Sequence, residues 1–556
     1  MIDLKKKPFE LSEEQIAFLH RTMDEMSEEE KIGQLFFPIG YSADHDYLRY
    51  NILNKMPGGL MFRTGVPEEI RDAYNFVQQE SKIPMFTAAN LEAGGDGIAE
   101  GGTAYGKQMQ AAAANDPRFA YDLGKICTAE GKAVGCNFAF APVVDIDLNW
   151  RNPITNVRTY GDDPDRVIAY AKEYIRACEE SGMLCSVKHF PGDGVDERDQ
   201  HILTSVNSLS REEWDCTYGK VYRALIREGA RAVMVGHIAL PAFQEHDRML
   251  PASLSKELLQ GLLRDKLGFN GLIVSDATPM VGFCAAMERR LAVPGAIMAG
   301  CDMFLFNKDY DEDFAFMKEG LKNGLLSEER LNEAVTRILA TKISAGLFDR
   351  DLTVSQEGLS VIGCKEHLRM AEECADRAAT LVKDTQGLLP IDPAGHRKVL
   401  LQVLGGCPSD QRVKETFAAE LEKRGFLVTH YEKEVFDFTK PLPFDSASSF
   451  RSKYDLVIYL GNVENASNKT TNRISWYTLF GLGNNMPWFV REVPTMFISF
   501  QNPYHLVDVP MIETYINCYS NHDAMIRAAV SKICGESPFT GVSPVDPFCG
   551  KEYLKA

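Results

Sequence analysis

Residues 183–201 read M-L-C-S-V-K-H-F-P-G-D-G-V-D-E-R-D-Q-H. The opening M-L-C-S-V is an uncharged, mostly apolar run that reads as a buried strand. The fourteen residues after it hold eight side chains that carry charge or exchange a proton, among them His189, His201 and three aspartates. Gly192 and Gly194 let the chain turn sharply. Reactive groups crowded at the end of a buried strand mark the working edge of a parallel α/β fold.

The pattern recurs outward from this segment. Apolar runs at 34–37, 59–62, 84–88, 138–144, 183–187, 232–235, 272–274 and 303–306 lack clean two-residue alternation, as strands buried on both faces do. Helix-start signals lie between them: Asp163-Pro164 offers an N-cap and an N1 proline, and Ser210 with Glu213 a capping box. Eight strand–helix units predict a (β/α)8 TIM-like barrel over residues 1–343. Polar groups follow most of the strands: Asn90 and Glu92, Asp145, Lys188 and His189, His237, Asp276 and Asn307. In a barrel these ends share one rim.

Residues 344–397 show no strand order and read as a helical linker. From 398 to 556, runs at 399–404, 426–431, 456–460, 496–500 and 515–518 alternate with helical stretches at 410–424 and 522–534. That alternation predicts a smaller, doubly wound αβα sandwich. Gly405-Gly406 lacks the spacing of a dinucleotide-binding loop.

The net charge of −18 disfavours nucleic acid or an anionic membrane as partner. No run approaches the roughly 18 apolar residues of a membrane span, and Met1-Ile2-Asp3 followed by Lys5-Lys6-Lys7 lacks a signal-peptide core. The thirteen cysteines form no C-x-x-C pair, so neither zinc nor redox chemistry is indicated. A cytoplasmic location with no metal or cofactor is expected.

Several motifs carry a family likeness. They are K-H-F-P-G at 188–192 with D-x-H at 199–201, R-N-P-I-T-N-V-R-T-Y-G-D-D-P at 151–164, L-I-V-S-D-A at 272–277 and P-A-S-L-S at 251–255. N-P-Y-H-L-V-D-V-P at 502–510 and G-V-S-P-V at 541–545 extend it through the C-terminal half. The chain resembles glycoside hydrolase family 3, and within it the bacterial β-N-acetylglucosaminidases. The resemblance implies a barrel plus a sandwich domain. It also implies a retaining exo-hydrolase that removes β-linked GlcNAc from the non-reducing end of an oligosaccharide or muropeptide. Asp276 then matches the nucleophile, and His201 the acid/base with Asp199 as its partner. Arg158, Lys188 and His189 match residues that grip sugar hydroxyls. Asn90 stands where the family has an aspartate for the distal hydroxyls, and Asp193 where it has a histidine.

The residue types suit this chemistry. Glycoside cleavage builds positive charge on the sugar ring, which a carboxylate beneath C1 stabilises. Asp276 ends a buried strand, where it could alternatively cap the next helix. The leaving oxygen needs a proton, and histidine titrates near neutrality. Asp199 could orient His201 as a triad aspartate does; otherwise both are ordinary loop residues. The loop 192–201 is expected to close over substrate. Lys188 could instead pair with Asp145 or Asp276, and Arg158 could pin a loop carboxylate. Arg473 and Trp476 are either aglycone contacts or a half-buried surface loop.

Four rival readings follow. Phosphate could replace water as acceptor at the same site. The sugar could be glucose or xylose. His189, His201, His237 and Asp276 could ligate a metal. The chain could bind carbohydrate without cleaving it.

Overall fold

The computed structural model describes every residue except Met1, Arg248, 432–444, Tyr477, Phe480, Gly481 and Asn484. The chain divides into two compact units, Met1–Tyr105 with Pro117–Leu368, and Gly106–Asp116 with Arg369–Ala556.

The first unit holds strands β1 (Phe36–Phe37), β2 (Gly59–Met61), β3 (Phe86–Ala89), β4 (Phe138–Ala139), β5 (Leu184–Phe190), β6 (Ala232–Val235), β7 (Leu272–Ser275) and β8 (Phe304–Leu305). Strands β2 to β7 form one parallel sheet in chain order. β1 pairs in parallel with β8. Parallel bridges Ile39–Met61 and Val274–Met303 join this pair to the two edges of the sheet and close the barrel. The expected TIM-like barrel is therefore present, and its strands are buried along their whole length.

Helix α1 (Arg118–Ala133) precedes β4, and α2 (Pro164–Ser181) starts at the Asp163 cap and ends at Gly182, φ 70°. The Ser210–Glu213 capping box opens α3 (Arg211–Cys216). The helical pattern does not then run on unbroken. Thr217, at φ −109° and ψ −98°, interrupts it before α4 (Tyr218–Glu228). Its hydroxyl donates back to the Glu213 carbonyl at 2.7 Å, a bond that competes with the helical ladder.

The second unit contains β9 (Thr380–Asp384), β10 (Lys398–Leu404), β11 (Leu427–His430), β12 (Leu456–Gly461), β13 (Thr495–Ser499) and β14 (Thr514–Asn517), in the order β9-β14-β13-β12-β10-β11. β9 runs antiparallel to β14 and the other pairings are parallel. β9 corrects the reading of 344–397 as helix and linker alone. It is a half-buried edge strand, T-L-V-K-D, with too few apolar residues to stand out. Trp476 meets the Tyr459 ring edge-on at 6.3 Å, and Arg473 pairs with Asp508, so both are tied into this unit. Among the described residues no helix is long and apolar enough to cross a membrane.

Candidate active site

The barrel rim is organised by two carboxylates that hold cationic or imidazole partners. Glu92, just beyond β3, accepts from Arg158 Nε and Nη2, both at 2.9 Å, and from Lys188 Nζ at 2.6 Å. Burial pushes the Glu92 carboxyl up, but Arg158 and Lys188 outweigh it and hold it well below the usual carboxylate range. Arg158 therefore grips Glu92 through the bidentate fork that suits a carboxylate, and Lys188 takes Glu92 rather than Asp145 or Asp276 as its counter-ion.

Asp145, after β4, serves His189. Its Oδ2 lies 2.7 Å from His189 Nδ1, and its Oδ1 accepts the backbone N–H of His189 at 3.1 Å and of Asp193 at 2.8 Å. With Nδ1 so engaged, Nε2 of His189 points to Asp276 Oδ2, 3.9 Å away.

Asp276 directly follows β7. Its N–H donates to the Val235 carbonyl at 2.8 Å, which fixes the carboxyl at the rim. Oδ1 accepts from the Ala277 N–H at 2.7 Å. The next helical turn, Val281–Cys284, has no side-chain cap, so Asp276 is not a helix cap. Burial raises its pKa, but the charges of His189, His237 and His201 and the Ala277 N–H bring it below the ordinary value.

His201 lies on the irregular segment between β5 and the short strand Ser205–Val206. Its Nδ1 is 2.6 Å from Asp199 Oδ1, which also accepts the His201 N–H at 2.8 Å. The Asp199 side chain is fully buried while His201 is 23% exposed. Asp199 thus orients the His201 ring through Nδ1. The segment docks on the residues after β7: Val281 N–H donates to the His201 carbonyl at 3.0 Å, and Thr204 Oγ1 to Gly282 O at 2.8 Å.

His237 is buried, with Nε2 3.0 Å from Ala277 O and Nδ1 2.8 Å from Ser253 Oγ. Burial lowers its pKa, and both ring nitrogens are engaged. No group of three or more His, Cys, Asp or Glu among the described residues is arranged to hold a metal ion. Asn90 is exposed, one residue beyond β3.

Residues 27–341 match the glycosyl hydrolase family 3 N-terminal domain. The chain belongs to glycosyl hydrolase family 3. It is 43% identical to a β-N-acetylglucosaminidase/β-glucosidase of Cellulomonas fimi, over 99% of both chains. The solved structure of a β-glucoside phosphorylase, BglX, superposes with a TM-score of 0.93 at 42% identity, over 99% of both chains. A family 3 β-N-acetylglucosaminidase from Paenibacillus sp. str. FPU-7 is similar in fold alone, with a TM-score of 0.79 at 24% identity over 94% of this chain and 99% of that one.

In this glycosidase the residues singled out from sequence fall into two groups. Asp276, His189, His201 and Asp199 share one stretch of rim, linked through the field that the histidines exert on Asp276. Arg158 and Lys188 join around Glu92. The sequence placed Glu92 at a strand end without a role and offered Asp145 as a support or as a partner for Lys188, not for His189. Their signal was a carboxylate following an apolar run, and what it could not give was the partner.

Proposed function

We propose that this enzyme is a retaining exo-β-N-acetylglucosaminidase, with β-glucosides as a second substrate class. One observation carries the proposal: an ionised carboxylate, Asp276, and an aspartate-backed imidazole, His201, stand on the same rim. Oδ1 of Asp276 is engaged by Ala277, so Oδ2 attacks C1. The C1–oxygen bond to the leaving group breaks as His201 Nε2 donates its proton to that oxygen, and an ester to Asp276 forms. His201 then takes a proton from water, whose oxygen bonds to C1 and releases Asp276. Asp199 keeps the ring in register through both steps. The Arg158–Glu92–Lys188 cluster and His189 face the sugar hydroxyls, and Asn90 contacts the distal ones through an uncharged amide. The name of the Cellulomonas fimi relative supports both sugars.

Aryl β-glycosides test this. The GlcNAc derivative should turn over fastest, glucose next and xylose far behind. Asp276→Ala should abolish turnover. His201→Ala should lose about 100- to 10,000-fold on poor leaving groups, the span of general acid catalysis, and far less on 2,4-dinitrophenolate. Equal losses on both would overturn the acid/base role.

A second reading replaces water by phosphate. The Asp199 carboxylate is buried behind the His201 ring, so the group proposed for proton transfer is an imidazole, which does not repel an anionic acceptor as a carboxylate would. The similarity to a β-glucoside phosphorylase points the same way. Appearance of the sugar 1-phosphate when phosphate is added would establish it.

A further inference from the structure

Between Asp199 and His201 sits Gln200, which is 1% exposed. Its Oε1 accepts the His237 N–H at 2.7 Å, at the end of β6, and its Nε2 donates to Asp193 Oδ2 at 3.3 Å. The approach is close enough that a Cβ on Gly236 would lie 2.8 Å from Gln200 Oε1. Asp193 is 3% exposed. Its other oxygen, Oδ1, accepts from Gly194 N at 2.7 Å and Asn152 Nδ2 at 3.1 Å, and its own N–H donates to Asp145 at 2.8 Å.

The donors and acceptors here permit one arrangement. The His237 N–H forces the Gln200 carbonyl toward β6, so the amide NH2 must face Asp193. Gly194 and Asn152 are also donors. The side chain of Asp193 must therefore accept on both of its outer atoms, which the two oxygens of a carboxyl group do and an amide does not. We propose that Asp193 and Gln200 form a latch that sets the position of the Asp199–His201 pair, acting as positioning residues that do not touch substrate. The inference rests on the reading of His201 as acid/base. Through this latch the proton donor is referenced to β6 and to the Asp145 carboxylate that holds His189.

The test exploits the reciprocal exchange. Asp193→Asn sets an NH2 against the Gln200 NH2, and Gln200→Glu sets two carboxyl groups together. The double variant D193N/Q200E restores one donor and one acceptor: the new carboxylate at position 200 accepts both from the new amide at position 193 and from the His237 N–H. Each single variant is expected to lose about 10- to 100-fold in kcat/KM on a methylumbelliferyl glycoside, the scale of an ångström misplacement. On the 2,4-dinitrophenyl glycoside the loss should stay under about 3-fold, because that leaving group needs no proton. The double variant should recover most of the loss. Turnover of the activated substrate shows that each variant is folded. Should neither single variant accumulate, Gln200→Ala replaces them, since it keeps the Asp193 carboxyl and its other donors. Equal losses on both substrates, or a double variant no better than the worse single, would overturn the latch. His201→Ala run alongside separates the layers: if it lacks the leaving-group dependence, the acid/base reading falls, and the latch with it.

Discussion

Replacing Glu92 by Gln probes the rim carboxylate that holds two cations. Glu92 takes three charge-assisted bonds, from Arg158 Nε and Nη2 at 2.9 Å and from Lys188 Nζ at 2.6 Å. Glutamine keeps the volume, but it offers one oxygen to three donors and turns an NH2 toward a guanidinium. Two buried cations lose their anion. Breaking a buried pair by removing one partner costs about 3–5 kcal/mol, and because two cations share this carboxylate we expect about 4 kcal/mol at pH 7. The pH dependence has a definite sign. Burial raises the Glu92 pKa, but Arg158 and Lys188 hold it well below its ordinary value of 4.5. Its stabilisation is therefore complete above about pH 5 and lost as pH falls through the lower, folded-state value. Urea unfolding of wild type and Glu92→Gln, followed by tryptophan fluorescence from pH 7 down to pH 3, reads both quantities. Trp214 is fully buried in the first unit and reports on it. The gap between the two proteins should be flat near neutrality and close in acid. A gap below about 1 kcal/mol at pH 7, the level of an exposed pair, would refute the reasoning, as would a gap that does not change with pH.

Two further outcomes are expected. Lys342 is buried, with Nζ 2.7 Å from Gln34 Oε1 and over the Phe86 ring at 5.1 Å. Burial drives its pKa well below 10.5, so the unfolded chain binds the extra proton. Lys342→Met should stabilise by about 1–2 kcal/mol at pH 7, with the gain shrinking as pH rises toward 10.5 in denaturant titrations. Asp302 accepts from Arg264 and Arg330, each at 2.7 Å, with Arg337 at 3.6 Å. Asp302→Asn should cost about 3–5 kcal/mol yet leave kcat/KM of folded enzyme unchanged, since Asp302 precedes β8 at the end of the barrel opposite the rim.

The eight barrel strands were legible because a strand buried on both faces reads as an uncharged run, and the rim because polar groups follow those runs. Partner choice was not. Lys188 on β5 has Asp145 at the end of the adjacent strand β4 and Glu92 and Asp276 at strand ends two positions away, and nothing along the chain ranks them. The pairing is settled by side-chain reach across the rim, where Nζ lies 2.6 Å from Glu92. β9 escaped notice for a related reason. T-L-V-K-D becomes a strand by pairing with β14, a contact 130 residues away between Asp384 and Thr514.

The glycines of the loop 192–201 show how one residue type carries two meanings. Gly192 and Gly194 suggest a hinge, and both have positive φ, 122° and 106°. Yet a Cβ on Gly192 would lie 2.1 Å from the Tyr218 ring, and one on Gly194 2.0 Å from the Ile146 carbonyl. Tyr218 OH shares its proton between Ile146 O at 3.0 Å and Asp193 O at 2.5 Å. These glycines let the backbone press against a buried tyrosine and the β4 extension, and that contact seats Asp193 where it meets Gln200. Any motion that opens the site must then hinge beyond residue 194, and larger residues at 192 or 194 should displace His201 rather than stiffen it.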